Sequence, residues 1–328
     1  MALYANTAGA KTAARLSGND FRSKSDLTSL INTYYDELLE GMGGEIDASE
    51  MLALMREGTQ KNDTHIVQTK VRGNSQASVN EDGNPIPFIS WGQGWNYTFT
   101  VVPYRVGVKH MRRIEEIDNY GELAQEAKEL TDAGLRTIRY SVADVFNRAI
   151  APSSAPFVCL DGMYLIDSGR PNPVPGVPTW SNEESTASIT EAALFQANLN
   201  AMNTLAENGD PLRLEIKEIY IPKAYEQAAW KLDKTDKILG SDHNDANWAA
   251  GRFKFKTLRD LTANSIFYIL NSPKSEQNGL EFRWSVRPGV ADIKFEDPDV
   301  FGKRLRFIFG MGCLDPRRVW RGGPLNSL

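Results

Sequence analysis

Cysteine and histidine are scarce in this 328-residue sequence, which has two of the first and three of the second. Cys159 and Cys313 lie in different halves without any close-spaced pair, which excludes a disulfide-stapled scaffold and the common zinc frameworks. Both read as reduced residues in or near the core of a cytosol-made protein. His65, His110 and His243 stand in no metal-ligand spacing such as HExxH. Asp242, His243, Asn244 and Asp245 cluster in GSDHNDANW but do not meet the calcium-loop pattern, so a solvated loop explains them.

No apolar run approaches the ~20 residues that span a bilayer, and the N-terminal MALYANTAGAKTAARL carries no hydrophobic signal core. Cytoplasmic synthesis without a membrane partner is therefore expected. Phosphate-cradling loops are missing as well: GMGG at 41–44 and GMG at 310–312 lack the strand-turn-helix setting such glycines need, and no GxSxG elbow occurs. The adjacent carboxylates Glu115 and Glu116 diverge in a strand and do not converge in a helix, so they make no acid-base pair. No catalytic residue, metal ligand or cofactor is expected.

What is present is a folded chain: 41% hydrophobic and 24% charged residues exclude disorder, and seven tryptophans imply large buried contacts. A formal net charge of -5 argues against a dedicated nucleic-acid binder. The charge is segregated, however. Lys11, Arg15, Arg22 and Lys24 make the N-terminus basic; Arg105, Lys109, Arg112 and Arg113 form a second basic block. Lys303, Arg304, Arg306, Arg317, Arg318 and Arg321 form a third, while 115–132 is acidic through Glu115, Glu116, Asp118, Glu122, Glu126, Glu129 and Asp132. Separated blocks of opposite sign suit a protein that packs against its own copies, although ordinary solvated faces give the same pattern.

The first residues to about 25 read as an arm ordered only on contact. Leu27, Leu30, Ile31, Tyr34, Leu38 and Leu39 then recur at helical spacing with Gly41 as the stop, and a short helix is expected at 49–56. THIVQTKVR and WNYTFTVVPYRVGVKH are strand-like and flank a polar tip with Asp82-Gly83 as the turn, an extended hairpin that needs a neighbouring surface to lie on. The strongest single element runs from Asn119 to Ile150. Asn119 and Glu122 read as a capping box, and apolar residues recur every three or four positions past Gly134. At 1.5 Å per residue this is a spine on the order of 45 Å long.

Residues 155–275 read as a compact α+β domain, with a helix capped by Ser188 and boxed by Glu191, the strand-like RLEIKEIYIP, and another helix over 223–232. Near the end, LEFRWSVRPG and VADIKFED are expected to pair with each other. KRLRFIFGMGCLD alternates, with Leu305, Phe307, Phe309, Met311 and Cys313 on one face, and is expected to pair with Thr98–Lys109.

This order of elements resembles the HK97-like fold of tailed-phage major capsid proteins, an α+β fold with an N-terminal arm, an extended hairpin (E-loop), a P-domain with its spine helix, and an A-domain. RRIEEIDNYGELAQEAKEL, FVCLDGMYLIDSGRPNP, TEAALFQANLNAMNTLAENGDPLRL, EIYIPKAYEQAA and FIFGMGCLDPRRVWRGG are similar to the Mu-type major head subunit branch over about residues 64–320. That branch has a phenylalanine and a histidine-proline pair where Ile166 and Arg170-Pro171 stand here.

The resemblance implies an arm at 1–63, an E-loop at 64–94, a P-domain at 95–154 with its spine at 119–150, an A-domain at 155–275, and return strands and tail at 276–328. It implies a non-enzymatic shell subunit that assembles as hexamers and pentamers into an icosahedral capsid around double-stranded DNA. Inter-subunit contacts are then expected at Lys70, Arg72, Glu81, Asp82, Arg112, Arg113, Glu115, Glu116 and Trp248, and interior non-specific DNA contact at Lys11, Arg15, Arg22 and Lys24. Portal, separate scaffolding and decoration proteins are the implied partners, and the virion head, made in host bacterial cytoplasm, the implied location. Lys70 lies near the hairpin base, so crosslinking to Asn271 is not expected. An encapsulin-like compartment shell and an enzyme on an unrelated scaffold are the alternative readings.

Overall fold

The computed structural model describes residues 24–47, 54–59, 65–71, 93–111, 120–149, 158–171, 178–185, 188–205, 211–237, 246–270, 279–296 and 300–324. Two five-stranded sheets, each backed by helices, organise these residues around separate hydrophobic cores.

The first sheet contains β1 (Arg56–Thr59), β2 (His65–Val71), β3 (Gln93–Met111), β8 (Leu280–Ile293) and β9 (Val300–Cys313), in the order β1-β8-β9-β3-β2. Its centre is the antiparallel ribbon expected from the alternation in β9: Val101 lies opposite Gly310, and the ladder runs to Met111 opposite Val300. The 19 residues of β3 serve two partners, because its first part pairs antiparallel with β2, from Thr100 opposite His65 to Gln93 opposite Val71. Leu305, Phe307 and Phe309 are buried on one face of β9, where Tyr104 from β3 stacks over Phe307 and Phe309 at 5.5 and 4.8 Å.

Helices α1 (Lys24–Asp47) and α2 (Tyr120–Asn147) cover that face. At 28 residues α2 is about 42 Å long, close to the spine expected from its periodicity, and it buries Ala127, Leu130, Ile138, Val142, Val145 and Phe146. Gly134, which costs a helix about 1 kcal/mol relative to alanine, is the crossing point. A Cβ there would stand 2.5 Å from Leu305 Cδ2, so the missing side chain lets the helix lie directly on β9.

The second sheet takes β4 (Glu183–Ser185), β5 (Glu218–Ile221), β6 (Lys254–Thr257), β7 (Phe267–Leu270) and β10 (Val319–Gly323), in the order β4-β10-β7-β5-β6. Helices α3 (Glu191–Met202) and α4 (Glu226–Lys234) close its core of Leu194, Ala197, Ile219, Ala229, Phe253, Ile269 and Trp320.

Several local expectations differ from the structure. Helix α1 does not stop at Gly41; it continues to Asp47 because Met42, 2% exposed, packs into the first core. Arg56 starts a strand, not the end of a helix, since 56–59 pair in parallel with Glu281–Trp284. LEFRWSVRPG and VADIKFED do not pair with each other: the first, with the second as far as Ile293, makes the single strand β8, which pairs with β9, and Pro288, lacking an N–H, is absorbed at a register shift between Val286 and Gly289. The cap of α3 is Thr190, whose hydroxyl accepts from Ala193 N at 3.2 Å, so Ser188 lies outside the helix. Glu191 turns instead to the backbone N–H of Trp248, 3.0 Å away. In RLEIKEIYIP only Glu218–Ile221 is strand, and 223–225 is a 3-10 turn ahead of α4. The last strand, β10, joins the second sheet, not the first with β8 and β9. The Asn119 cap of α2 lies outside the described residues.

Candidate assembly interface

Helices cover one face of the β8-β9-β3 ribbon, so the charged residues of the other face remain in solvent. Residues directly opposite in a ladder project to the same side, as do positions i and i+2 of one strand. Arg105 stands opposite Arg306, and Gly107 stands opposite Arg304. Lys109, on the same face of β3, lies opposite Gly302. On the far side of β9, Gly289 faces Arg306 and Ala291 faces Arg304. The result is a row of cations on a floor of small residues, and Arg105, Lys109, Arg304 and Arg306 are all exposed. Lys109 Nζ lies 5.6 Å from the Phe295 ring centroid. Among the described residues, Arg105, Arg304 and Arg306 have no ion-pair partner. Val286, 40% exposed, adds apolar surface beside the stripe.

The two basic blocks of the sequence, 104–113 and 303–321, therefore meet only in part. Arg105 and Lys109 join Arg304 and Arg306, whereas Arg317 and Arg321 turn inward. Arg317 Nε bonds Asp315 at 2.8 Å, and Arg321, fully buried, pairs with Glu183.

A second buried polar group ties the two sheets together. Within 158–171, Arg170 is 0% exposed, with its guanidinium on the carboxylate of Asp161, itself only 2% exposed. It also donates to the carbonyls of Tyr164 and Leu165 and to Asn182 Oδ1 at 3.2 Å, and it lies 5.4 Å from the Trp180 ring. Asn182 Nδ2 in turn donates to Leu165 O at 2.7 Å and to Val319 O at 2.9 Å, at the start of β10. From the other direction, Leu160 N donates to Cys313 O, at the end of β9. This knot holds the segment between the cores. Sequence reading missed it, because an arginine and an asparagine that bond mainly to carbonyls leave no spacing pattern; the only signal was Arg170-Pro171 as a departure from the branch that the sequence resembles.

The two cysteines, far apart in sequence, are both buried and free beside this knot. Burial pushes the Cys313 thiol well up, and its hydrogen bond with Cys159 raises it further. GMG at 310–312 lies within β9, where a Cβ on Gly312 would fall 2.4 Å from the Tyr97 ring and 2.5 Å from that of Phe99. Gly312 thus admits two aromatic rings into the core, whereas Gly310 lets β9 lie close to the backbone at Thr100. Among the described residues no His/Cys/Asp/Glu group can hold a metal ion and no helix is long and apolar enough to cross a membrane.

Of the contact candidates named from sequence, Lys70 lies in β2 at a register shift between Thr69 and Val71. Trp248 is half-buried within its own subunit, edge-on to Phe195 and Phe253 at 5.1 and 5.6 Å, with the Arg252 guanidinium 4.6 Å from its ring centroid. Phe195 is the open side of that cluster, 44% exposed. Lys24 is the first residue of α1. Arg72, Glu81, Asp82, Arg112, Arg113, Glu115, Glu116, Lys11, Arg15 and Arg22 lie outside the described residues, as do the Asp82-Gly83 turn, the His243 cluster and Asn271.

The sequence matches no protein-family model and no curated protein. Solved structures do match. The capsid of cyanophage P-SCSP1u aligns over 84% of this chain and 87% of its own, with a TM-score of 0.53 at 12% identity. The procapsid of bacteriophage JBD30 aligns over 92% and 76%, with a TM-score of 0.51 at 13% identity. The capsid of Myoviridae phage XM1 aligns over 84% and 91%, with a TM-score of 0.50 at 9% identity. At these identities the likeness fixes the fold, which is the α+β, HK97-like architecture of phage capsid structures.

Proposed function

We propose that this chain is a major capsid protein of the tailed-phage type, a structural subunit and not an enzyme, which assembles with its own copies into the closed shell of a virion head. The observation that carries the reading is the extent of the fold match. It spans 84% of this chain and 87% of the cyanophage capsid chain, so it takes in both cores and not one shared motif. In this reading residues 1–63 form the arm, 64–94 the E-loop, the long ribbon with α2 the P-domain, and the second core the A-domain. Hexamers and pentamers in an icosahedral lattice, packaged double-stranded DNA touched without sequence preference, and separate portal, scaffolding and decoration proteins complete it, as does synthesis in the host bacterial cytoplasm.

The physical support lies in an exposed face to which the described residues give no intramolecular partner. A shell subunit needs several modest contacts that become strong when linked, and the open basic face of the ribbon offers one such surface.

Electron microscopy of the purified protein, alone and then with its scaffold, tests the reading: closed icosahedral particles are expected. Persistent monomers under both conditions would overturn it; rings or tubes would keep a structural role but reject the shell. Nucleic acid inside native particles separates a phage capsid from a compartment that holds protein cargo. Deleting 74–90, beyond the last β2–β3 pair at Val71 and Gln93, is expected to leave a folded, soluble protein that forms no closed shell.

A further inference from the structure

Folding brings together two cysteines that sequence spacing leaves unrelated. Cys159 lies at the start of 158–171, the segment between the cores, and Cys313 is the last residue of β9. Leu160 N donates to Cys313 O at 3.1 Å, which sets the two stretches side by side, and the two thiols hydrogen-bond to each other. A backbone bond at this point holds the sulfurs within reach of one another, the first condition that a disulfide sets.

The surroundings suit oxidation. The Arg170 guanidinium lies 4.0 Å from Cys159 Sγ and is a counter-charge for a thiolate at that sulfur, the form that attacks an oxidant. Cys159 is buried yet close to solvent along the chain. Val158 before it is 44% exposed, and its own N–H and carbonyl close a turn with Met163 and Gly162, of which Gly162 is exposed. A local opening of that turn admits a molecule the size of a peroxide, while 3% and 0% exposure of the two cysteines keeps bulky reagents out. Among the described residues no further histidine, cysteine or carboxylate makes the pair a metal site.

We propose that Cys159 and Cys313 are an oxidative modification site, closed by a small peroxide into a disulfide that ties the segment 158–171 to the end of β9. The Cys159 thiolate attacks one peroxide oxygen, the O–O bond breaks, and the departing hydroxide takes up the thiol's proton to leave as water. Cys313 then attacks the sulfur of the resulting sulfenic acid, and the displaced hydroxyl leaves with the second thiol's proton as another water. In sum two thiols lose two electrons and two protons, and one peroxide is reduced to two waters. The bond lies beside Arg170 and reinforces the joint between the cores that the Arg170 and Asn182 knot already makes. The chemistry stands on the fold alone. Its timing rests on the shell reading, in which a subunit made in reducing cytoplasm meets oxidants once the virion is outside the cell.

Full-length protein, purified reduced and then treated in the folded state with hydrogen peroxide, tests the site. Thiols titrated after unfolding are expected to fall from two to none, and peptide mapping without reduction is expected to join Cys159 to Cys313 within one chain. Because the bond closes a long loop, the melting temperature is expected to rise by roughly 4–16 °C and to return when dithiothreitol is added. In Cys313→Ser, peroxide is expected to leave a sulfenic acid on Cys159 that dimedone traps in the folded protein. The wild-type readings decide the matter even where that variant does not fold. Two persisting thiols, sulfinic or sulfonic acid in place of the bond, linkage between chains, or a melting temperature that the closed bond does not move overturns the proposal. Microscopy keeps the two readings apart: closed shells whose cysteines stay reduced under peroxide reject this site alone, whereas a bond that forms in protein that never assembles keeps the site and rejects the shell.

Discussion

Replacing Asp161 by asparagine is the sharpest test of how the two cores are held together. The change keeps the shape of the side chain and removes the only carboxylate bonded to Arg170 among the described residues. With both side chains essentially inaccessible, the guanidinium is left charged and buried, still bonded to the Tyr164 and Leu165 carbonyls and to Asn182 but without a counter-charge. Removing one partner of a buried pair costs about 3–5 kcal/mol, a large share of the 5–15 kcal/mol that typically holds a domain folded. At ~2–4 °C per kcal/mol for a sizeable domain, the melting temperature should drop by roughly 6–20 °C. Replacing both residues together, Asp161→Leu with Arg170→Met, should cost less than either single change, because no unpaired charge remains. Urea unfolding of the wild type, Asp161→Leu, Arg170→Met and the double variant completes the double-mutant cycle. A loss under about 1 kcal/mol for Asp161→Asn, or strict additivity in the double variant, would show that the pair carries no coupling and refute the reasoning.

Other consequences can be checked on the same material. Gly312→Ala should cost about 1–3 kcal/mol in urea unfolding, since its Cβ meets the rings of Tyr97 and Phe99, both buried in the core. Alkaline pH should unfold the protein cooperatively. Burial, helped by Glu126 and Tyr34, pushes Tyr35 up to about 12, and burial raises Tyr97 and Tyr268 as well. Because these phenols ionise more readily in the unfolded chain, their stabilising contribution is complete below about pH 10 and is lost as pH climbs toward the folded values, by up to about 1.4 kcal/mol per pH unit for each ring. The last of the tyrosinate absorbance should therefore appear together with the loss of circular dichroism; complete tyrosine ionisation with intact dichroism would contradict the burial of these rings.

The spine helix, the strand alternation of β9 and its pairing with β3 were legible in the sequence because each is a local periodicity with a strong apolar signal. Leu305, Phe307 and Phe309 on one side of β9 require a covered face, and Ala127 through Phe146 supply the cover. Segregated charge was legible too, but not its geometry: only the antiparallel register sets Arg105 against Arg306 and sends Arg317 and Arg321 into the interior.

Where one element had to answer to a distant one, local signals failed. Gly41 looks like a stop, yet α1 continues because Met42 has a core to enter. The short run Arg56–Thr59 becomes a strand because the edge of β8 is there to pair with. Ser188 and Thr190 are both fit to cap, and only the packing of α3 selects Thr190. The Asp161, Arg170 and Asn182 knot rests on one ion pair and on bonds to carbonyls that any sequence can supply, so no spacing in the chain marks it before folding brings the residues together. Sequence by itself determined the long periodic elements, the spine helix α2 and the strand β9 with its apolar face, because those are properties of a few neighbouring residues. Only the tertiary structure decided which charges face each other and which are buried, since that depends on the register between strands nearly two hundred residues apart.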